Sequence, residues 1–212
     1  MKHYNTVLTI AGSDCSGGAG IQADIKAISA LGGYAASAIT AVTVQNTVGV
    51  TAVHPVPADI VEGQIRAVLD DIGAKAIKIG MLQSADIVHL IARLIKEYDI
   101  RNVVLDPVMV STSGHRLIEK TAISALQTEL IPLTRVITPN IPEAEILLDG
   151  NAITLQEDMP QAVKALSQRY HTSVLLKAGH LTEDNLVDYF YDAEQDELTL
   201  LPSVRVHTRN TH

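Results

Sequence analysis

The stretch Val7-Leu8-Thr9-Ile10-Ala11-Gly12-Ser13-Asp14-Cys15-Ser16-Gly17-Gly18-Ala19-Gly20-Ile21 passes from an apolar strand pattern through a glycine-rich loop into a helix. Val7–Ile10 has the unbroken apolar character of a strand buried on both faces, and Ile21, Ile25, Ile28 and Leu31 then recur at helical spacing. Four of the 13 glycines fall between Gly12 and Gly20, where the missing side chains allow a ligand to approach the backbone. A strand-to-helix turn of this kind is expected to turn free N–H groups outward, toward an anion or the polar edge of a ligand. The loop has neither the lysine of a P-loop nor the spacing of a dinucleotide fingerprint. A tight turn with close helix packing would account for the same glycines.

Outward from this stretch the alternation continues. Strand patterns at Ala35–Thr40, Val50–His54, Ala76–Ile79, Val103–Leu105, Val136–Thr138 and Val174–Lys177 are separated by helical ones at 60–71, 87–98, 122–130, 144–148 and 161–170. An antiparallel-looking pair, Leu186–Tyr191 and Leu198–Leu201, follows. This order predicts an α/β fold with a mainly parallel sheet and helices on both faces. The 212 residues, without repeats or a Pro/Gly/Ser-rich linker, predict a single domain over 1–212. The segments 110–116 and 149–151 read as irregular.

Composition narrows the function. A net charge of −8 argues against a general nucleic-acid or acidic-membrane surface, so phosphate would be met by local N–H groups, single lysines and a cation. One cysteine, Cys15, excludes an intrachain disulfide and a thiolate zinc cage. No apolar run approaches the roughly 20 residues of a membrane span, and no secretory signal is legible, so a soluble cytoplasmic protein is expected.

The strand ends supply the candidate chemistry. Gln45 has a carboxamide that matches a ring edge where an amino group adjoins a ring nitrogen, although it could equally serve neighbouring backbone. Asp14 sits within the loop and Asp24 in the following helix, where the helix dipole alone would favour it. Asp106 leaves a buried strand just before Pro107, a place suited to Mg²⁺ or to capping a turn. Asn140 and Glu143 flank Pro142 at a helix start, where capping explains both, yet both could also point into a crevice. Lys177, two residues before Gly179, ends a strand and could supply positive charge to phosphate.

The ordered runs Leu8–Asp14, Gly20–Asp24, Ile39–Thr47, Lys78–Leu82, Val103–Met109, Ile137–Ala144, Leu176–His180 and Asn210–His212 together resemble the hydroxymethylpyrimidine/phosphomethylpyrimidine kinases. These belong to the thiamin-pathway branch of the ribokinase-like superfamily, and the resemblance implies its three-layer αβα architecture. It implies ATP- and Mg²⁺-dependent phosphorylation of 4-amino-5-hydroxymethyl-2-methylpyrimidine and of its monophosphate, in a homodimer.

By the same resemblance Gln45, Gly12, Asp14, Asp24, Met81 and Val108 bind the pyrimidine, and Asn140, Glu143, Lys177 and Gly179 the nucleotide. Asp106 and Glu143 order the metal and its waters. In the resembling family Asn-Thr-His runs on into Gly-Thr-Gly-Cys, which supplies the anion hole and the group acting on the substrate hydroxyl. The resemblance thus places the catalytic segment beyond His212 and predicts a domain truncated at that end. Pyridoxal kinase activity and a non-catalytic pyrimidine-binding role are the alternatives.

Overall fold

The computed structural model describes residues 4–109 and 118–208. The polar loop at 110–116 and the ending Asn210–His212 lie outside the described residues.

Nine strands form one sheet in the order β3-β2-β1-β4-β5-β6-β7-β8-β9. They are β1 (Thr6–Asp14), β2 (Tyr34–Asn46), β3 (Gly49–Pro55), β4 (Ala76–Ile79), β5 (Val103–Leu105), β6 (Val136–Ile137), β7 (Ser173–Leu176), β8 (Asn185–Asp192) and β9 (Glu197–Val204). The six strands from β2 to β7 in that order pair in parallel; β3, β8 and β9 pair antiparallel to their neighbours. The helices are α1 (Gly20–Ala30), α2 (Ala58–Asp71), α3 (Ala85–Glu97), α4 (Lys120–Ala125), α5 (Ile141–Leu147) and α6 (Met159–Tyr170).

Side-chain alternation sorts the two faces. Leu8, Ile10, Ile77 and Ile79 are buried in the main core together with seven residues of α3. Their neighbours Thr9 and Lys78 point the other way and meet Asp24 of α1. The right-handed crossover rule agrees: α1 leads the chain from β1 out to β2, whereas α2 brings it back past β1 to β4, which puts the two helices on opposite faces.

Every strand expected from the sequence is present, but the first two run further. β1 continues through Gly12 and Ser13 to Asp14, after a pairing irregularity between Ala11 and Ser13. β2 extends to Asn46 and turns at once into β3, an antiparallel ribbon on which Val42, Val44 and Val48 are exposed. The helical pattern at 122–130 becomes α4 and a wider π turn over Leu126–Leu130, which buries Leu126 and Leu130.

Candidate active site

The carboxyl ends of the parallel strands form one edge of the sheet. Strand order reverses at β1, with β2 on one side and β4 on the other, and ligands in open parallel sheets gather at such a point. The candidate residues occupy two groups along this edge.

The first group surrounds the ends of β1, β2 and β4. Its centre is Asp14, 2% exposed, whose carboxylate accepts from the backbone N–H groups of Ser16, Gly18 and Ala19 at 2.8–2.9 Å and from the Ser16 hydroxyl. Burial pushes its pKa up, but the Ser16 hydroxyl and the three N–H groups outweigh burial and hold the carboxyl below its usual value. The sequence reading expected free outward N–H groups here and a substrate contact from Asp14. Three of the loop's N–H groups, those of Ser16, Gly18 and Ala19, instead turn inward onto the Asp14 carboxylate. The glycines permit this: Gly17 and Gly20 have φ of 80° and 55°, and a Cβ at Gly20 would lie 2.2 Å from the Gly12 carbonyl oxygen.

Asp24 is also committed internally. It accepts from the Thr9 hydroxyl at 2.5 Å and pairs with Lys78 at 2.9 Å, tying α1 to β1 and β4. Gly12 lies under Met81, whose Cε would be 2.8 Å from an added Cβ, so these two candidates form a packed apolar floor. Gln45 lies further along β2. Its backbone carbonyl accepts from the Cys15 thiol at 3.0 Å, and its carboxamide lies 3.2 Å from the Thr43 hydroxyl, which also reaches the Ser13 carbonyl at 2.8 Å. One end of that carboxamide meets no partner among the described residues.

The second group surrounds the ends of β5, β6 and β7. Asp106 Oδ1 accepts from Lys177 Nζ at 2.9 Å and from the Thr138 hydroxyl at 3.2 Å, and the pair is about one-third exposed, at 35% for Lys177 and 29% for Asp106. Asp106 Oδ2 is left without a protein partner among the described residues. Asn140 and Glu143 bond to each other at the start of α5. Asn140 Oδ1 accepts from the Glu143 N–H at 3.0 Å, and Glu143 Oε2 accepts from the Asn140 N–H at 2.9 Å, a reciprocal cap on α5.

Glu143 Oε1 further accepts from the Met109 N–H at 3.4 Å, which links the cap to the segment that leaves β5. Burial, with Asp106 adding repulsion, raises the Glu143 pKa to about 7 against the opposing pull of the Asn140 N–H, Lys177 and the Met109 N–H. Val108 is half-buried on that same segment, next to the Val108 N–H to Asp106 carbonyl bond of 2.8 Å. Gly179 is exposed, and an added Cβ would touch nothing within 4 Å among the described residues.

The donor set of the second group suits a hydrated Mg²⁺: Asp106 Oδ2 meets no protein partner among the described residues, and each Glu143 oxygen accepts one N–H and keeps a second lone pair. No set of three acidic, histidine or cysteine side chains forms a closed metal cage among the described residues.

Thr43, Thr138 and Lys78 were not singled out from the sequence as site residues. Lys78 carried a usable signal, being a lysine inside the otherwise apolar central strand Ala76-Ile77-Lys78-Ile79.

The sequence model of the phosphomethylpyrimidine kinase family matches residues 14–212. The chain belongs to this family. It is 48% identical over 206 residues to the hydroxymethylpyrimidine/phosphomethylpyrimidine kinase of Rhizobium meliloti, an alignment covering 97% of this chain and 76% of that protein. To the thiamine biosynthesis bifunctional protein of Geobacter sulfurreducens it is 45% identical across 98% of its own length, while spanning only 42% of that longer protein. In structure it is similar to a pyridoxal kinase of Bacillus subtilis solved as an ADP complex, with a TM-score of 0.86, 36% identity, and coverage of 97% of this chain and 78% of that one. The fold is accordingly that of the ribokinase-like kinases.

Proposed function

We propose that this chain is a thiamin-pathway pyrimidine kinase that uses ATP and Mg²⁺ to phosphorylate 4-amino-5-hydroxymethyl-2-methylpyrimidine and its monophosphate. The observation that carries the reading is that the groups left open along one sheet edge differ, an amide end at Gln45 in the first group and the Asp106–Lys177 pair in the second. Gln45, with an open carboxamide end, and the apolar floor of Gly12 and Met81 suit an uncharged aminopyrimidine ring. Asp106 and Lys177, partly open at the ends of β5 and β7, suit phosphates and a hydrated cation.

Phosphoryl transfer asks a protein mainly for positioning and charge stabilisation. In the proposed arrangement Gln45 orients the ring, and Gly12 and Met81 exclude water from one side of it. Asp14 and Asp24 act indirectly by fixing the loop and α1. Lys177 supplies a compact positive charge to the transferring or leaving phosphate oxygens. Asp106 would hold Mg²⁺ through Oδ2, with Asn140 and Glu143 bracing the adjoining backbone, and the ion would supply charge neutralisation to the phosphates. Gly179 allows the nucleotide to approach the chain after β7. A cytoplasmic homodimer completes the proposal.

A second reading, pyridoxal phosphorylation, is favoured by the close structural match to the Bacillus subtilis pyridoxal kinase. ADP release, assayed in parallel with the aminopyrimidine and with pyridoxal, tests the two. Faster turnover of the pyrimidine supports the first reading, and pyridoxal turnover that exceeds it overturns that reading in favour of the second.

A further inference from the structure

The hydrogen bonds around Thr43 assign a direction to the Gln45 carboxamide. Thr43 is 6% exposed, and its single hydroxyl proton has two neighbours: the Ser13 carbonyl at 2.8 Å and the carboxamide atom placed as Gln45 Oε1 at 3.2 Å. A backbone carbonyl can only accept, so the proton belongs on the shorter contact to Ser13. Thr43 Oγ1 then has only lone pairs to offer Gln45. A carboxamide oxygen in that position would set lone pairs against lone pairs, whereas a half-turn of the amide places Nε2–H there and completes the bond.

We infer that Thr43 is a specificity-determining positioning residue: the one-way chain Gln45 N–H to Thr43 hydroxyl to Ser13 carbonyl holds the Gln45 amide with its oxygen facing the crevice. The inference rests on the proposed role of Gln45 and deepens it. The Gln45 backbone is held independently by Cys15, whose thiol donates to the Gln45 carbonyl at 3.0 Å and accepts from the Gln45 N–H at 3.4 Å. With the main chain anchored and one amide proton engaged, the end that remains presents an acceptor and one donor in a fixed order.

That order selects a chemical class. A ring must offer an amino group to Oε1 and, beside it, an unprotonated nitrogen to the second Nε2–H, as a 4-aminopyrimidine does. A 4-oxo-pyrimidine presents the reverse, a carbonyl where the amine was and a ring N–H where the bare nitrogen was. To bind it, the amide must turn over and break the chain to Thr43. Discrimination between buried hydrogen-bonding patterns depends on this inability to adapt.

The test is calorimetric titration of the chain with 4-amino-5-hydroxymethyl-2-methylpyrimidine and with its 4-oxo counterpart. Thr43→Val keeps the shape but frees the amide, and should reduce the amino-to-oxo affinity ratio about tenfold, the size of one buried hydrogen bond. Thr43→Ser keeps the hydroxyl and should preserve the ratio. An unchanged ratio in Thr43→Val, or an equal fall in Thr43→Ser, overturns the inference. Gln45→Leu separates the two levels: if it leaves affinity for the amino compound intact, the proposed role of Gln45 fails as well. Should Thr43→Val not fold, hydrogen exchange of the Gln45 side-chain amide by NMR in the unsubstituted protein decides. One protected Nε2 proton supports the inference, and two protons exchanging as in free glutamine overturn it.

Discussion

The two halves of the sheet edge use carboxylates in opposite ways. At the end of β1, Asp14 is enclosed by three backbone N–H groups and a hydroxyl of its own loop, and Asp24 is bound to Thr9 and Lys78. At the end of β5, Asp106 has one oxygen on Lys177 and Thr138 and the other without a protein partner among the described residues. The first half therefore engages its carboxylates with its own loop and helix. The second leaves an ion pair partly in solvent, where phosphate and a cation can compete for its members. The difference teaches that carboxylates of similar sequence setting can be committed to the fold to very different degrees.

The comparison breaks most visibly at Asp14. Asp14→Ala would leave the N–H groups of Gly18 and Ala19 and the Ser16 donors without their acceptor, and should cost about 3 kcal/mol of unfolding stability, given the worth of charge-assisted bonds to a buried carboxylate. Urea denaturation measures it; a loss below about 0.5 kcal/mol, within the range of an ordinary surface change, would mean the loop does not depend on this carboxylate. Lys78→Met should follow closely, at about 2 kcal/mol, because it strands Asp24 against Thr9 with only 15% of its side chain exposed. If Lys78→Met is neutral by the same measurement, Asp24 has another partner in solution.

A smaller effect distinguishes the charged half. The Glu143 pKa is raised to about 7, above the 4.5 of the unfolded chain, so the folded state retains a proton that the unfolded state releases. Stability from this group is therefore full below about pH 4.5 and declines as pH rises toward 7. Glu143→Gln should flatten that part of the stability–pH curve. An unaltered slope between those limits would show that Glu143 titrates normally. The smallest effect is expected at Gly179. Gly179→Ala meets no atom within 4 Å among the described residues and should change stability by no more than about 0.5 kcal/mol, so any larger loss in ADP affinity reports on the nucleotide and not on the fold.

Much of the fold could be read from the chain because buried parallel strands are apolar runs and the intervening helices have their own period. Val7–Ile10, Ala76–Ile79 and Val103–Leu105 needed no more than that. The β2–β3 ribbon was not legible as antiparallel, since Val50–His54 has the same composition as a parallel strand, and only pairing with Ala41–Asn46 sets its direction. The candidate residues at the strand ends could be picked out by type and position, but the direction of their hydrogen bonds could not. Asn140 and Glu143 had the spacing of a cap, and the structure realises that cap. Asp14 gave no comparable sign, because its partners Gly18 and Ala19 are reached only through the positive-φ turn at Gly17.

The central claim is that one edge holds a neutral ring site and a separate charged phosphate site. Calorimetry with the aminopyrimidine alone and with ADP plus Mg²⁺ alone, on Gln45→Leu and Asp106→Ala, tests it most directly. Gln45→Leu should weaken the pyrimidine by about 1–3 kcal/mol, the loss of a buried polar pairing, and leave ADP unaffected. Asp106→Ala should weaken ADP with Mg²⁺ and leave the pyrimidine unaffected. If each substitution weakens both ligands equally in chains that remain folded, the two halves are not separate sites and the account is wrong.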